Sequence, residues 1–481
     1  MELDARICYE ALRARDVRFD GLFFVGVSTT RVYCRPVCSV RTPGRDRCSF
    51  YANAASAEAA GYRPCLRCRP ELAPGAAPVD AVSRVAGLAV ARIEAGGIDD
   101  RGLSALAAEL GLSSRQLRRV VEREYGVPPV ALAQTRRLLL AKQLITETRL
   151  PMAEIAFASG FASVRRFNHL FRTRYRLQPS ALRRTPTAAE TGAIRLKLGY
   201  RPPLAWQPLA AFLGSRGASG VEQFDGRCYL RTVRLGAHSG WIAVEPASVQ
   251  PLLQVEMSPS LLPVLTQLLP RLRRLFDLDA HPAVIESHLG EDPHLAALLR
   301  ATPGLRVPGA LDGFELALRA VLGQQVSVKA ATTLYRRCAE RFGSALHTPH
   351  AALTHLPPCA EEIADAGLPR LVALGLPRTR ALTVQRLAAG VAEGRIRLEP
   401  GVPAAATLAA LQDVPGIGPW TAQYVAMRAL GDADALPHAD LGLLRALGLR
   451  RPAELAQAAE RWRPWRAYAA LHLWHSLGAG G

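Results

Sequence analysis

Long apolar runs are missing from this chain of 481 residues. No charge-free stretch approaches the roughly 18 residues that a membrane-spanning helix needs. Met1-Glu2-Leu3-Asp4 opens nothing like a signal peptide. Export and membrane insertion are therefore not expected, and a cytoplasmic location is. Lysine is almost absent too: Lys142, Lys197 and Lys329 are the only three, so nearly all 60 basic residues are arginine. With so much alanine alongside, this bias points to a GC-rich coding sequence. Base composition explains arginine in place of lysine, but not the excess of 60 basic over 41 acidic residues, a formal charge of +19. That excess favours a polyanionic partner, and in the absence of an amphipathic anchor nucleic acid ranks ahead of acidic lipid. Residues 1–190 hold 30 basic and 18 acidic side chains, which concentrates the excess toward the N-terminus. A composition of 49% hydrophobic and 21% charged residues excludes disordered and fibrous classes. At about 100 to 200 residues per domain, the length allows three or four domains.

Of nine cysteines, Cys8, Cys48, Cys228, Cys338 and Cys359 are scattered and read as ordinary buried thiols. The other four form two close pairs, Cys34-x3-Cys38 and Cys65-x2-Cys68. In a reducing compartment such pairs suggest metal before disulfide, and four thiolates at this spacing suit tetrahedral zinc, one ion per chain. Zinc keeps its thiolates deprotonated, so the site can be chemical as well as structural.

Two linkers punctuate the chain, Glu71-Leu-Ala-Pro-Gly-Ala-Ala-Pro78 and Thr185-Pro-Thr-Ala-Ala-Glu-Thr-Gly192. Between them the pattern is almost wholly helical. Ile194-Arg-Leu-Lys-Leu alternates as a strand does, and Cys228–Leu235 and Trp241–Glu245 read as further strands. From about residue 280, Leu/Ala-rich helical periods broken by Pro and Gly run to the end. The expected fold is multidomain α+β. Its parts are a zinc-bound α/β module at 1–75, an all-α double helix-turn-helix at 80–185, a small α/β domain at 193–275 and an all-α domain at 276–481.

Phe19-Asp-Gly-Leu-Phe-Phe-Val-Gly-Val, Thr29-Thr-Arg-Val-Tyr-Cys-Arg-Pro-Val-Cys38, Ser49-Phe-Tyr-Ala-Asn53 and Gly61-Tyr-Arg-Pro-Cys-Leu-Arg-Cys68 closely resemble the N-terminal domain of the Ada family of alkylation-repair regulators. The resemblance covers about residues 1–72. It implies that Cys34 accepts a methyl group from a DNA methylphosphotriester, with Cys38, Cys65 and Cys68 as the remaining zinc ligands. A thioether is a poor leaving group, so the transfer is single-use. Cys48 lies outside the pattern.

Leu103-Ser-Ala-Leu-Ala-Ala-Glu-Leu-Gly-Leu-Ser-Ser-Arg-Gln-Leu-Arg-Arg-Val carries a helix-turn-helix signature, with Gly111 at the turn and Ser113 or Ser114 capping the second helix. A second copy follows in Pro151–Gly160 and Ser163–Arg172. The pair resembles the DNA-binding domain of the AraC family and implies sequence-specific transcription activation, with RNA polymerase as a partner. Arg115, Gln116, Arg165, Arg166 and Asn168 are the candidate groove contacts; sequence does not separate phosphate from base contacts.

Leu411-Gln-Asp-Val-Pro-Gly-Ile-Gly-Pro-Trp-Thr-Ala-Gln-Tyr424 places a Pro-Gly-Ile-Gly hairpin between helical segments, where Gly416 and Gly418 let backbone N–H groups approach a phosphate. This is the helix-hairpin-helix pattern. In the glycosylases that share it an essential aspartate follows by about twenty residues, and Asp440 in Leu436-Pro-His-Ala-Asp-Leu-Gly442 occupies that place. An N-cap for the helix after it is Asp440's alternative role, and the two are compatible. Phe314-Glu-Leu-Ala-Leu-Arg-Ala-Val-Leu-Gly-Gln-Gln-Val-Ser327 resembles that family's first core helix and DNA-wedge loop, and Arg461–Trp474 its terminal helix. Residues 193–478 therefore resemble 3-methyladenine DNA glycosylase II, the AlkA family. The resemblance implies that Trp420, Tyr424 and Trp474 form an aromatic cleft for a cationic alkylated base, while Trp462 and Trp465 suit a core. Lyase-competent relatives carry a Schiff-base lysine where Trp420 stands, which implies a monofunctional, hydrolytic enzyme. The family's wedge leucine is replaced here by Gln325.

Together these resemblances imply a repair enzyme and regulator acting on double-stranded DNA. It would excise bases of the 3-methyladenine and 7-methylguanine class and take methyl groups onto Cys34. The Pro-Cys-His-Arg motif of the Ada protein's other repair domain is absent, so reversal of O6-methylguanine is not expected. Two rival readings remain open: a transcription regulator whose glycosylase half only binds damage, and a purely structural zinc finger.

Overall fold

The computed structural model describes residues 3–75, 84–94, 96, 102–183, 192–399, 402 and 404–478. The first linker is described only as far as Gly75, and the second lies outside the described residues apart from Gly192. Two compact units result. One comprises Met1–Pro202, Pro246–Arg273 and Leu278–His281; the other comprises Pro203–Glu245, Arg274–Asp277 and Pro282–Gly481. Among the described residues no helix is long and apolar enough to cross a membrane.

The first unit opens with α1 (Ala5–Ala14), capped by Asp4, whose carboxylate accepts from the backbone of Arg6 and Ile7. Strands β1 (Phe24–Val27), β2 (Val32–Cys34) and β3 (Cys48–Tyr51), helix α2 (Ala54–Ala59) and β4 (Arg63–Pro64) follow. The sheet order is β3-β1-β2-β4, with β4 parallel to β2 and Tyr33 opposite Pro64. That register sets the residues that come next, Cys34 and Cys65, side by side. Helices α3 (Arg84–Glu94), α4 (Gly102–Glu109), α5 (Ser114–Tyr125), α6 (Pro129–Glu147), α7 (Met152–Ala158) and α8 (Val164–Tyr175) then form two helix-turn-helix units, α4–α5 and α7–α8, joined by the 19-residue α6. Gly111 (φ +69°) and Gly160 (φ +83°) take the left-handed turns between paired helices. Phe161, Phe167, Phe171 and Tyr175 stack edge to face along the inner side of α8.

The next stretch of chain contributes to both units. β5 (Ile194–Gly199) belongs to the first; α9 (Trp206–Ser215), β6 (Glu222–Phe224), β7 (Tyr229–Leu235) and β8 (His238–Pro246) belong almost wholly to the second. In the second unit β6, β7 and β8 make an antiparallel meander. β9 (Leu252–Met257) lies in the first unit and pairs antiparallel with β5, Ile194 opposite Met257. Ile194, Leu196 and Leu198 are buried while Arg195 and Lys197 are exposed, the alternation a one-sided strand requires.

Beyond α10 (Leu265–Leu275) the described chain is helical: α11 (Pro282–Leu289), α12 (Pro293–Ala301), α13 (Gly313–Leu322), α14 (Val328–Phe342), α15 (Ala360–Ala364), α16 (Leu368–Val372), α17 (Arg378–Ala392), α18 (Ala404–Gln412), α19 (Pro419–Val425), α20 (Leu441–Ala446), α21 (Pro452–Ala458) and α22 (Arg466–Ser476). A π-helical turn, Ala426–Leu430, extends α19. The core gathers around α13, whose Phe314, Leu318, Val321 and Leu322 pack with Tyr335, Leu387, Leu411 and Val425. The architecture is the multidomain α+β fold expected from the sequence.

Candidate functional site

The sulfur atoms of Cys34, Cys38, Cys65 and Cys68 all lie within 4.8 Å of one another. Tetrahedral zinc with bonds of about 2.3 Å needs sulfurs about 3.8 Å apart, so the cluster fits the ion. Its surroundings fit thiolates as well. The backbone N–H of Arg35 donates to Cys68 Sγ at 3.3 Å and that of Arg67 to Cys65 Sγ at 3.4 Å. The Arg35 guanidinium is not available to a phosphate. It pairs with buried Asp20 (Nε to Oδ1, 2.8 Å) and donates to the Cys68 carbonyl at 3.1 Å. Cys34 is only 6% exposed. Cys48 lies outside the cluster, its thiol directed to the Gly44 carbonyl.

Sequence reasoning missed how this module is fastened to α6. Glu58 on α2 is fully buried, accepting from the Tyr33 hydroxyl at 3.1 Å and from Thr135 Oγ1 of α6 at 2.8 Å. Burial pushes its carboxyl up to about 7, against the pull of these two hydroxyls. A second buried cluster joins Lys142 of α6 to Glu71 (2.5 Å), Glu71 to Arg69 (3.0 Å) and Arg69 to Glu147 (2.6 Å). Burial lowers the Lys142 ammonium while the Glu71 charge opposes that shift. Lys142 is 1% exposed, and nothing in the local sequence marks that burial.

Of the helix-turn-helix candidates, Arg115, Gln116, Arg165 and Arg166 are exposed and Asn168 is half-buried. Ser113 caps α5 and Ser163 caps α8. Gln116 completes a capping box: its Oε1 accepts from the Ser113 backbone at 2.9 Å, which leaves only its amide nitrogen for a groove.

At the hairpin, Gly416 has φ +97° and a Cβ there would lie 2.2 Å from Thr383 Oγ1. Geometry and packing both demand glycine. Gly418 differs: a Cβ would meet nothing within 4 Å, so the free protein does not require its smallness.

Asp440 caps α20, Oδ1 accepting from the Leu443 backbone at 2.9 Å. The same oxygen accepts from Trp474 Nε1 at 2.9 Å, and Oδ2 from Trp420 Nε1 at 2.8 Å. Three N–H donors therefore fix one carboxylate. The Trp420 and Tyr424 rings are stacked, centroids 5.3 Å apart and 6° between planes, with Trp474 tilted 6.3 Å from Tyr424. All four residues are half-buried, open on one side. Trp462 is core, its indole donating to Asp292 at 2.6 Å, and Trp465 is buried.

The pocket also holds a cation that sequence reasoning missed. Arg428, one helical turn beyond Tyr424, donates to the Tyr424 hydroxyl at 2.7 Å and sits 5.5 Å from its ring centroid. Its other donors engage the carbonyls of Pro308 (2.8 Å) and Gly309 (3.1 Å). Burial pushes the Tyr424 phenol up, but the charges of Arg428 and Arg216 outweigh it and leave the phenol below its usual value. The spacing 420, 424, 428 carried the signal. Leu441, just after Asp440, is 77% exposed and was likewise missed.

A buried-thiolate zinc module, paired helix-turn-helix units and a hairpin followed by a capped aspartate among aromatics define a DNA-repair protein of the helix-hairpin-helix class fused to a DNA-binding regulator. Family comparisons agree. Residues 7–71 match the metal binding domain of Ada, 106–185 a helix-turn-helix domain, 195–312 the AlkA N-terminal domain and 318–460 the HhH-GPD superfamily base excision DNA repair protein. The chain is 40% identical, over 99% of its length and 97% of the relative's, to a Mycobacterium tuberculosis protein described as a probable bifunctional transcriptional activator/DNA repair enzyme AlkA. It belongs to that family. It is also 34% identical to Escherichia coli DNA-3-methyladenine glycosylase 2 over 58% of this chain and 97% of that protein. A solved 3-methyladenine DNA glycosylase from Archaeoglobus fulgidus shares the fold, with a TM-score of 0.50 and 20% identity over 58% of this chain and 97% of that one.

Proposed function

We propose that this protein excises alkylated bases from double-stranded DNA by hydrolysis, accepts methyl groups from DNA methylphosphotriesters on Cys34, and couples that acceptance to transcription activation, with RNA polymerase as the further partner. The observation that carries the excision reading is the Asp440 carboxylate, fixed by the Trp420 and Trp474 indoles beside the hairpin. Cleavage of an N-glycosidic bond builds positive charge on the sugar. A purine methylated at N3 or N7 departs neutral and needs little help from an acid. What the reaction needs is a fixed anion near C1′, and Asp440 supplies it. The bonding pair leaves with the base, water adds at C1′, and the water's proton passes to solvent. Trp420, Tyr424 and Trp474 receive the flipped base; Arg428 braces Tyr424 and tempers the attraction of these rings for a second cation. Gly416 and Gly418 bring the hairpin N–H groups to the backbone phosphate, and Gln325 stands at the wedge position.

In the N-terminal module the Cys34 sulfur attacks the triester methyl carbon, forming S–CH3 as the O–CH3 bond breaks and a phosphodiester anion leaves. Cys34, Cys38, Cys65 and Cys68 would hold the zinc, which when bound would keep the thiolates ionised. Methylation changes the four-thiolate centre from −2 to −1, which reduces repulsion from phosphate and tightens DNA binding through Arg115, Gln116, Arg165, Arg166 and Asn168.

The test is base release from methylated duplex by wild type and Asp440→Asn. The variant keeps an N-cap and removes the charge, so release should fall about 100-fold or more while DNA binding persists. Near-normal excision by Asp440→Asn ends the assignment.

A further inference from the structure

A strand at the edge of a sheet leaves a row of backbone N–H and C=O groups that a protein must cover or pair. β5 is bonded to β9 on one side, and among the described residues no strand lies along its other side. In an antiparallel ladder the backbone groups of alternate residues point away from the partner strand. Those of Lys197 point to α6. Gln143 Nε2 donates to the Lys197 carbonyl at 2.8 Å, and Glu147 Oε2 accepts from the Lys197 N–H at 3.1 Å. Gln143, itself buried, also donates to Glu147 Oε2 at 2.9 Å, which locks the two side chains together. One helical turn apart, an amide and a carboxylate of α6 stand in for a neighbouring strand. Two residues on, the Gly199 carbonyl accepts from Arg273 at 3.2 Å, and a Cβ on Gly199 would lie 2.0 Å from the Leu72 carbonyl oxygen.

The same carboxylate faces the thiol module. Glu147 Oε1 accepts from Arg69 at 2.6 Å. Arg69 follows Cys68 directly and takes a left-handed backbone, φ +54°, which arginine adopts only at a cost. From the thiol cluster to the strand the path runs Cys68, Arg69, Glu147, Lys197, with no gap wider than a hydrogen bond. A second tie lies close by: the Gly75 N–H donates to Asp279 at 2.7 Å and its carbonyl accepts from Arg201, just beyond β5, at 2.6 Å. We infer that Glu147 couples metal loading of the four-cysteine module to the integrity of β5, the first strand of the AlkA-type α/β segment, so that zinc supports the sheet of the repair half as well as the reader. Ordering of Cys65 and Cys68 around the ion fixes Arg69, and Arg69 fixes the carboxylate that holds the Lys197 N–H. With the metal gone the arginine loses its anchor, and the edge of β5 opens by local unfolding. Such a coupling free energy is reciprocal: what zinc adds to β5, β5 adds to the retention of zinc.

Amide hydrogen exchange of the full-length protein, loaded with zinc or stripped by a chelator, tests this. In wild type, stripping should speed exchange at 194–199 about tenfold or more and change 229–235 by less than about twofold. Arg69→Gln, reloaded with zinc, should hold the metal while the response of 194–199 to stripping falls below about twofold. Gln143→Ala leaves every residue of the thiol module in place, yet it should release zinc to a competing chelator about threefold faster or more. That measurement decides even where Arg69→Gln fails to hold the metal. Exchange at 194–199 that ignores stripping in wild type overturns the inference, as does equal acceleration at 229–235, which would mean general unfolding. Zinc release from Gln143→Ala at the wild-type rate overturns it too.

Discussion

Cys34 is buried among three other thiols, whereas Asp440 stands half open beneath two indoles. On the proposed function both are electron-rich groups offered to DNA, but only the Asp440 oxygens are held by N–H donors of their own; near Cys34 the backbone N–H groups donate to Cys65 and Cys68. On the proposed function the thiolate reacts by losing its own identity, so the protein can hide it and release it to a single methyl group. On the same proposal the carboxylate faces a transient cation again and again, so it stays in place, unaltered and accessible. Single use goes with burial, and turnover goes with an open, rigid anion.

The sharpest way to break this comparison is at the cysteines. Cys34→Ser should abolish methyl uptake, read by mass spectrometry after exposure to methylated DNA, and leave base release unchanged. Cys38→Ser should instead lose zinc and unfold the module, seen as metal content and far-UV signal. Methyl uptake by Cys34→Ser would mean that the wrong thiol has been assigned.

Next in size is the contact between the module and α6. The Glu58 carboxyl is raised to about 7 in the folded protein from an ordinary 4.5. The folded state therefore binds the extra proton, and its stability falls as pH rises from about 4.5 to 7, then levels off, by up to about 3 kcal/mol. Glu58→Gln should flatten that slope in urea melts taken at pH 5 and pH 8. An unchanged slope would place the titrating group elsewhere.

Trp474→Phe keeps an aromatic wall and removes one donor from Asp440. Base release should drop about tenfold with little change in substrate affinity, the signature of lost positioning in the transition state. The smallest effect belongs to Gly418→Ala: stability within about 0.5 kcal/mol of wild type, because the site has room, and a measurable loss of affinity for damaged duplex. Gly416→Ala should instead destabilise the fold outright, given its φ of +97° and its contact with Thr383.

Much of this was legible because it is written locally. The thiolate cluster spans Cys34 to Cys68 and the hairpin lies in four residues. Each helix-turn-helix declares itself by a glycine and a serine cap within twenty, and the strand at 194–199 shows plain alternation. What escaped was decided by distant partners. Arg428 drew no notice in the sequence because its carbonyl partners, Pro308 and Gly309, lie about 120 residues earlier. Glu58 and Lys142 went unread because burial in α6 packing has no local signature. The particular placement of Gln324 against the hairpin, 92 residues away, was equally silent.

The ion pairs from Arg69 and Glu71 to α6 tie the thiol module to the helix that joins the two helix-turn-helix units, which on the proposed function links zinc to DNA reading. Zinc binds the folded module more tightly than its unfolded chain, so by mass action each tenfold rise in free zinc above the dissociation constant adds up to about 1.4 kcal/mol to folded stability. Because α6 also carries both helix-turn-helix pairs, that increment reaches the DNA-reading helices. Metal starvation would silence the sensor and the reader together, through supply of an ion and not through any signal from DNA.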